Sequence, residues 1–175
     1  MWDVDKLFEE ILTGMKKCAL AGKIPYSMGI DTWAVDFVLL DENDRRIGDA
    51  VAYRDRRTAG MDRRVYGIIS EEDLYLRTGI QKQIFNTIYQ LMAVKEQQPG
   101  QLERAKSMLM IPDYFHFLLT GQKSAGVYQC DDHTARGTGQ KRLGHGTDRE
   151  TRLSERNFSR KSKNRDMRSA GYPMR

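Results

Sequence analysis

One run of residues, GIDTWAVDFVLLD at positions 29–41, constrains the fold of this chain more than any other. Small, polar and branched side chains alternate along it, a pattern that predicts two β-strands, at residues 26–31 and 34–41. The two strands are expected to meet at a polar corner. Because binding sites combine an apolar wall with a few placed polar groups, this corner is a candidate ligand site.

The corner consists of Asp31, Thr32 and Trp33. Asp31 and Thr32 supply hydrogen-bond acceptors and a donor, while Trp33 supplies a flat apolar face. Together they suit a polyhydroxylated molecule with one carbon-rich side. The alternative is purely structural, with Asp31 and Thr32 capping a turn and Trp33 lying in the core.

The rest of the pattern predicts helices around these strands. Apolar residues at helical spacing, with acids early and lysines late, predict an amphipathic helix over residues 2–20. A polar turn at residues 42–44 predicts a hairpin whose second arm runs over residues 47–53. Further elements expected downstream are helices at 58–69, 86–96, 102–105 and 112–119 and a strand at 108–111. This mixture of elements indicates an α/β fold.

A cluster of arginines accompanies the helix predicted over residues 58–69. Its members are Arg56, Arg57, Arg63 and Arg64. Exposed basic clusters are more often solvated than bound to phosphate. We therefore interpret this one as a solvated face.

Composition limits the class of protein. A chain of 175 residues with 39% apolar content is long enough for one domain with a sizeable core. No segment is apolar for long enough to span a bilayer, and the acidic N-terminus lacks the features of a secretion signal. The two cysteines, Cys18 and Cys130, provide neither a disulfide framework nor a metal-ligand cluster. A reducing, cytoplasmic location with no membrane partner is therefore expected.

The net charge of +5 is unevenly placed along the chain. Residues 1–129 hold 17 Lys and Arg against 18 Asp and Glu, whereas residues 130–175 hold 12 against 6. Within the second segment, Leu143 and Leu153 are the only branched aliphatic residues. Such a segment cannot offset its ordering entropy by burial. The sequence therefore predicts a disordered basic tail over residues 129–175.

Four further motifs follow the corner motif GIDTWAVDF. They are AYRDRRT at residues 52–58, TGIQKQIFNTIYQL at 78–91, LMIPDYF at 109–115 and LLTG at 118–121. In order and spacing these segments resemble the L-rhamnulose kinases of the FGGY carbohydrate kinase family. The resemblance covers residues 1–128, which we predict to be one domain.

The resemblance implies two actin-like, ribonuclease H-like domains with the active site in the cleft between them. It implies ATP and Mg²⁺ as cofactors and the ketose L-rhamnulose as substrate, with an aspartate that accepts the proton of the sugar hydroxyl. The family's phosphate-binding hairpin and its catalytic aspartate have no counterpart in the matched residues. The chain is therefore expected to be a partial N-terminal domain, inactive alone, whose partner is the remainder of the kinase.

The resemblance also implies roles for individual residues. The family's sugar contact corresponds to Ala34, flanked by Asp31, Thr32 and Trp33, and a small residue there lets the backbone approach the sugar closely. Residues of the other motifs are interpreted as support for the pocket wall, namely Arg54, Asp55, Arg57, Phe85 and Asn86. Their alternative role is in internal salt bridges and turns.

Two interpretations of the basic tail are open. With permitted codons, residues 129–136 read one nucleotide later give Asn-Ala-Thr-Thr-Thr-Gln-Leu-Val, the continuation that the resemblance implies, which indicates an out-of-frame translation. The other interpretation is a non-catalytic α/β module that binds a sugar or a partner and uses the tail on nucleic acid. Nucleic-acid arms interleave basic residues with stacking aromatics, and Phe158 and Tyr172 are isolated, so nucleic acid is the less favoured partner.

Overall fold

The structure is a computed structural model that describes residues 1–124. The predictions for the basic tail, residues 129–175, lie outside the described residues. Among the described residues, no helix combines the length and apolarity that crossing a membrane requires. The elements in chain order are α1 (Val4–Leu20), β1 (Phe37–Leu40), β2 (Arg46–Ile47), a 3₁₀ turn (Arg56–Thr58), α2 (Met61–Tyr66), α3 (Glu71–Thr78), α4 (Thr87–Gln97), α5 (Pro99–Arg104), β3 (Ser107–Met110) and α6 (Ile111–Thr120).

A three-stranded antiparallel sheet in the order β2-β1-β3 forms the centre of the described chain. The register pairs Leu39 with Ile47 on one side of β1 and Phe37 with Met110 on the other. Alternate residues of a strand point to opposite faces, and here helices cover both. α1 and α6 pack on one face, and α4 and α5 pack on the other. All four residues of β1 are therefore buried.

The first helix begins after Asp3, whose carboxylate accepts a hydrogen bond from the Lys6 backbone N at 2.9 Å. Its apolar stripe packs into the core, where Phe8 stacks on Phe115 of α6 with 6.3 Å between the ring centroids. The prediction of an amphipathic helix near the N-terminus is confirmed.

The strand predicted at residues 26–31 is wrong. No described strand pairs with this segment, and the side chains of Tyr26 and Met28 are exposed. A strand forms only when its backbone N–H and C=O groups find partners, so an alternating pattern by itself is not sufficient.

Two of the other predicted strands, at residues 34–41 and 47–53, are shorter than expected. β1 begins at Phe37 rather than three residues earlier, because Val35 has a φ of 69° and so leaves the extended region. β2 stops where Gly48 turns the chain at a φ of 68°. Beyond that turn, Ala50 makes an isolated bridge with Trp2.

The helix predicted over residues 58–69 is also divided. Gly60, at a φ of 77°, separates the 3₁₀ turn from α2. Further along, the helices predicted at 86–96 and 112–119 and the strand between them are confirmed within one residue at each end. α5 starts earlier than predicted, with Pro99 as its first residue, a position where the missing N–H of proline costs nothing.

An ion pair ties α1 to β2. The Arg46 guanidinium donates to both carboxylate oxygens of Asp5, at 3.0 and 2.7 Å, and this contact lowers the pKa of Asp5. Because the folded-state pKa is lowered, the pair stabilises the fold above the unfolded pKa of Asp5. That stability is lost as the pH falls through the folded-state pKa.

Replacing Arg46 by methionine tests this pair. The Asp5 side chain is 70% exposed, so we expect Arg46→Met to lower the free energy of unfolding by only about 0.5 kcal/mol at neutral pH. In urea unfolding of the full chain, the difference from wild type should shrink at about pH 3. The control Arg45→Met, which removes an exposed neighbouring cation, should unfold like wild type at both pH values. An Arg46→Met effect independent of pH would contradict the expected linkage.

Candidate functional site

A tight turn places the predicted corner at the start of β1. The Asp36 backbone N donates to the Ala34 carbonyl at 3.0 Å, and Val35 between them has a φ of 69°. This is a γ-turn with positive φ, which is rare and strained for a branched residue. The Val35 carbonyl accepts hydrogen bonds from Thr87 Oγ1 at 2.9 Å and from Gln90 Nε2 at 3.2 Å. Side chains of α4 therefore hold the turn in place.

A buried carboxylate lies directly after the turn. Asp36 has no exposed surface, yet four donors surround it. Oδ2 accepts from Trp2 Nε1 at 2.6 Å, Trp33 Nε1 at 2.8 Å and the Tyr53 backbone N at 3.1 Å. Oδ1 accepts from Gln90 Nε2 at 3.1 Å. Full hydrogen bonding is what allows an acidic group to be buried.

The amide of Gln90 is the second buried polar group of the site. Besides the Val35 and Asp36 oxygens, its Nε2 donates to the Phe85 carbonyl at 3.0 Å. Its Oε1 accepts from Arg57 Nη2 at 2.7 Å. Because a guanidinium only donates, this bond fixes the amide with its NH₂ group towards Asp36. Gln90 therefore connects three chain segments that are distant in sequence.

The four predicted sugar contacts lie along this turn, at different depths. Asp31 is exposed, while Thr32, Trp33 and Ala34 are half-buried. Thr32 Oγ1 donates to the Trp33 carbonyl at 3.0 Å. The Trp33 ring contacts the Trp2 ring in a tilted arrangement, with 4.1 Å between centroids and 34° between planes. Since the Trp33 N–H donates to Asp36, this indole offers a ligand its ring face and not its N–H.

Of the predicted wall residues, Arg54 and Phe85 contact one aromatic side chain. Arg54 is exposed, and its Nε donates to the Tyr53 hydroxyl at 2.9 Å while its guanidinium lies 5.3 Å from the centre of that ring. Phe85 meets the Tyr53 ring edge-on at 5.4 Å. Tyr53, which the sequence patterns did not single out, therefore joins these two segments beside Asp36.

Arg57 points into the protein. Its guanidinium lies 5.9 Å from the centre of the Phe37 ring and bonds Gln90, and its Nε is buried with no hydrogen-bond partner among the described residues. Burial lowers the pKa of Arg57, opposed by the charges of Asp55 and Asp36. The interpretation of the arginine cluster as a solvated face is therefore wrong for Arg57, although its other members are exposed.

The two remaining wall residues have local roles in the turns. Asp55 Oδ1 accepts from the Arg57 backbone N at 2.8 Å and so caps the 3₁₀ turn. Asn86 is buried just before α4, and its Nδ2 donates to the Gln81 carbonyl at 3.1 Å. These contacts fit the alternative role in turns, and they leave a contribution to a pocket wall as a prediction.

A separate cleft of about 380 Å³ lies elsewhere in the described part of the chain. Its lining is Tyr66, Glu71, Glu72, Leu74, Tyr75, Ile80, Lys82, Asn86 and Tyr89, so it shares only Asn86 with the site above. The Tyr66 and Tyr89 hydroxyls bond each other at 3.0 Å, and burial raises the pKa of Tyr89. We place the candidate site at the corner, because the buried polar groups converge there.

The described residues contain no cluster of side chains that could hold a magnesium ion by itself. None of them form a group of three or more His, Cys, Asp or Glu side chains with the arrangement of a metal site. Asp36, the buried acid of the corner, uses both oxygens to accept hydrogen bonds from protein donors.

The described residues thus form an α/β sheet with a polar, strained turn at the start of its central strand. The model of the FGGY family of carbohydrate kinases, N-terminal domain, matches residues 1–140. This chain belongs to the FGGY family. The family match extends past residue 128, so the predicted domain boundary at that position stays a prediction.

Curated relatives point to one branch of the family. The chain is 65% identical over 123 residues to the rhamnulokinase of Halalkalibacterium halodurans and 61% identical over 122 residues to that of Oceanobacillus iheyensis. Each match covers 70% of this chain and 26% of the relative. The chain therefore spans about a quarter of the length of these relatives.

Solved structures confirm the fold class. A xyloylose kinase from Brucella ovis matches with a TM-score of 0.79 at 18% identity, covering 91% of this chain and 34% of that one. The ligand-bound xylulose kinase from Lactobacillus acidophilus matches with a TM-score of 0.73 at 15% identity, covering 87% and 31%. At these identities the likeness concerns the fold alone. The predicted actin-like α/β domain of an FGGY kinase is thus confirmed.

Proposed function

We propose that this chain is the sugar-binding N-terminal part of an ATP-dependent kinase that converts L-rhamnulose to L-rhamnulose 1-phosphate in cytoplasmic rhamnose catabolism. The observation that carries the proposal is the 65% identity to a rhamnulokinase. The family-model match spans every residue of the corner, which supports a sugar-binding role for it.

The geometry of the corner suits a ketose. The small side chain of Ala34 leaves its backbone approachable, so a sugar hydroxyl can reach main-chain groups there. The half-buried Trp33 ring offers a flat surface to the C–H side of the sugar. Asp31 and Thr32 supply polar groups at the exposed end of the turn. In this proposal Arg54, Phe85 and their neighbours form the wall that keeps the turn in position.

ATP and Mg²⁺ enter the proposal through the family. When bound, they supply the γ-phosphoryl group and neutralise its charge during transfer. Since residues 1–124 contain no cluster of three or more metal-ligating side chains, we propose that the part of the kinase equivalent to the remaining length of the relatives holds both. The chain alone should then bind the ketose without transferring a phosphoryl group.

Ketose binding tests the proposal directly. In calorimetric titration of the full chain, L-rhamnulose should bind and the aldose L-rhamnose should bind more weakly. Ala34→Leu should weaken ketose binding by about tenfold, because a bulky side chain blocks the approach to the backbone. Ala21→Leu, an exposed substitution at the end of α1, is the matched control and should bind like wild type.

If Ala34→Leu binds the ketose more weakly, near-ultraviolet circular dichroism shows whether the variant still has native tertiary structure. A native spectrum with reduced ketose affinity supports a contact at the turn. Wild-type affinity in Ala34→Leu would remove Ala34 from the site, and an absence of ketose binding to the wild-type chain would reject its role as the sugar-binding part.

We also propose that residues 129–175 are an out-of-frame translation. Support comes from the excess of 12 basic over 6 acidic residues after position 129 and from the family-like text of the shifted frame. Resequencing the codons for residues 127–136 should reveal a small insertion or deletion. Its correction should give an Asn-Ala-Thr segment and an open frame beyond it. If the printed frame is correct, the alternative is a basic arm, and salt-sensitive nucleic-acid binding lost on deleting residues 130–175 would support that arm.

A further inference from the structure

Both tryptophans of the chain bond the same buried carboxylate. Trp2, before α1, and Trp33, in the corner, donate to Asp36 Oδ2, and the two rings contact each other. Tyr53 adds its backbone N–H and Gln90 adds its amide. The four donors satisfy the buried charge, and because they come from four separate segments, the carboxylate also links those segments. We call this group of contacts the junction.

The junction lies next to the strained residue of the turn. Val35 carries a positive φ, and branched residues adopt such a conformation only where their surroundings enforce it. The enforcing contacts lie on both sides: Thr87 and Gln90 hold the Val35 carbonyl, and the Asp36 carboxylate is fixed by its own four donors. Without the carboxylate, one of these two sets of contacts would no longer oppose the preference of Val35 for extended backbone.

We propose that Asp36 is the positioning residue of the sugar site. By binding the two indoles, Tyr53 N and Gln90, it fixes the turn that presents Ala34 and sets the angle of the Trp33 ring. Asp36 does not touch the sugar in this arrangement, since it has no exposed surface. The inference rests on the proposed function and extends it to a residue outside the predicted contacts.

A carboxylate is required at this position because all four surrounding groups donate. Asparagine has one acceptor oxygen, and its NH₂ group must face either the indoles at Oδ2 or Gln90 Nε2 at Oδ1. In the first orientation the NH₂ group would face three donors, and in the second it would face only one, so the second is favoured. Asp36→Asn should therefore keep the indole bonds, lose the Gln90 bond and loosen the turn.

The two indole N–H groups allow this to be measured in the full chain. With ¹⁵N-labelled tryptophan, two-dimensional NMR should show two indole signals, assigned by the loss of one in Trp2→Phe. Asp36→Asn should shift both signals and weaken L-rhamnulose binding by about tenfold or more, as expected for a lost bond to a charged group. Asp41→Asn is the matched control at the other end of β1, where the carboxylate caps an exposed turn. It should leave the indole signals and ketose affinity unchanged.

A second variant keeps the proposal testable if Asp36→Asn does not fold. Trp2→Phe preserves a stacking ring and removes one donor to Asp36, so the remaining Trp33 signal should move and ketose affinity should fall severalfold. Wild-type ketose affinity in a folded Asp36→Asn, or in Trp2→Phe, would overturn the positioning role.

The two proposals fail in different ways. If L-rhamnulose moves no indole signal and gives no titration heat with the wild-type chain, the proposed function fails. The role of Asp36 in the turn is then decided by the indole signals alone. Signals that shift in Asp36→Asn support that role, and unchanged signals overturn it.

Discussion

Replacing Gln90 by leucine is expected to lower the free energy of unfolding by about 3 to 5 kcal/mol. Leucine has nearly the same volume, so packing changes little. The loss comes from acceptors inside the protein that lose the Gln90 donor: the Phe85 carbonyl, one oxygen of Asp36 and the Val35 carbonyl, which keeps its bond from Thr87. Arg57 also loses the acceptor of its 2.7 Å bond while remaining half-buried.

Gln97→Leu is the control for this variant, because it makes the same change in the same helix at an exposed position. Its single bond, to the Arg57 carbonyl at 3.3 Å, is exposed, so the free energy of unfolding should change by less than about 0.5 kcal/mol. Urea titration followed by circular dichroism at 222 nm measures both variants. Equal stabilities for the two would mean that the Gln90 bonds contribute nothing net to the fold.

The second large effect is expected in the centre of the sheet. Leu40 has no exposed surface and packs among Val4, Ile111 and Phe115, between α1 and α6. Leu40→Ala should lower the free energy of unfolding by about 3 to 5 kcal/mol, since the central strand is held on both sides and cannot move to fill the cavity.

Leu20→Ala provides the comparison for Leu40→Ala. Leu20 ends α1 with 89% of its surface exposed, so its truncation should change the free energy of unfolding by less than about 0.5 kcal/mol. The same urea titration applies. A Leu40→Ala loss below about 1 kcal/mol would show that the core around β1 relaxes readily, contrary to the close packing of the sheet between its helices.

The elements that sequence patterns predicted well are those whose signals are local. α1 combines an N-cap, an apolar stripe and a charge gradient within 17 residues, and α6 has a proline near its start and Gly121 after its end. The strand predicted at residues 26–31 failed because strand formation depends on a pairing partner, which no window of sequence contains. Val35 was missed for a similar reason, since its φ is set by contacts with α4.

Sequence motifs located the candidate site, but they did not identify the buried polar groups inside it. Asp31, Thr32, Trp33 and Ala34 were named because of their types and the family resemblance. Asp36 had a visible signal, a lone acid directly before four consecutive buried apolar residues, where an acid needs donors. Its donors come from positions up to 54 residues away, so the identity of its partners required the fold.

The position of β3 has a consequence for synthesis on the ribosome. β1 lies between its two partners, but β2 follows it within ten positions whereas Met110 pairs with Phe37 from 73 positions away (110 minus 37). At elongation rates of about 5 to 20 residues per second, the outer edge of the hairpin remains unpaired for roughly 4 to 15 seconds. During that time an apolar strand edge is available to other nascent chains. Slow translation between the two strands should therefore increase aggregation, and a chaperone that shields extended apolar segments should increase the yield of folded protein.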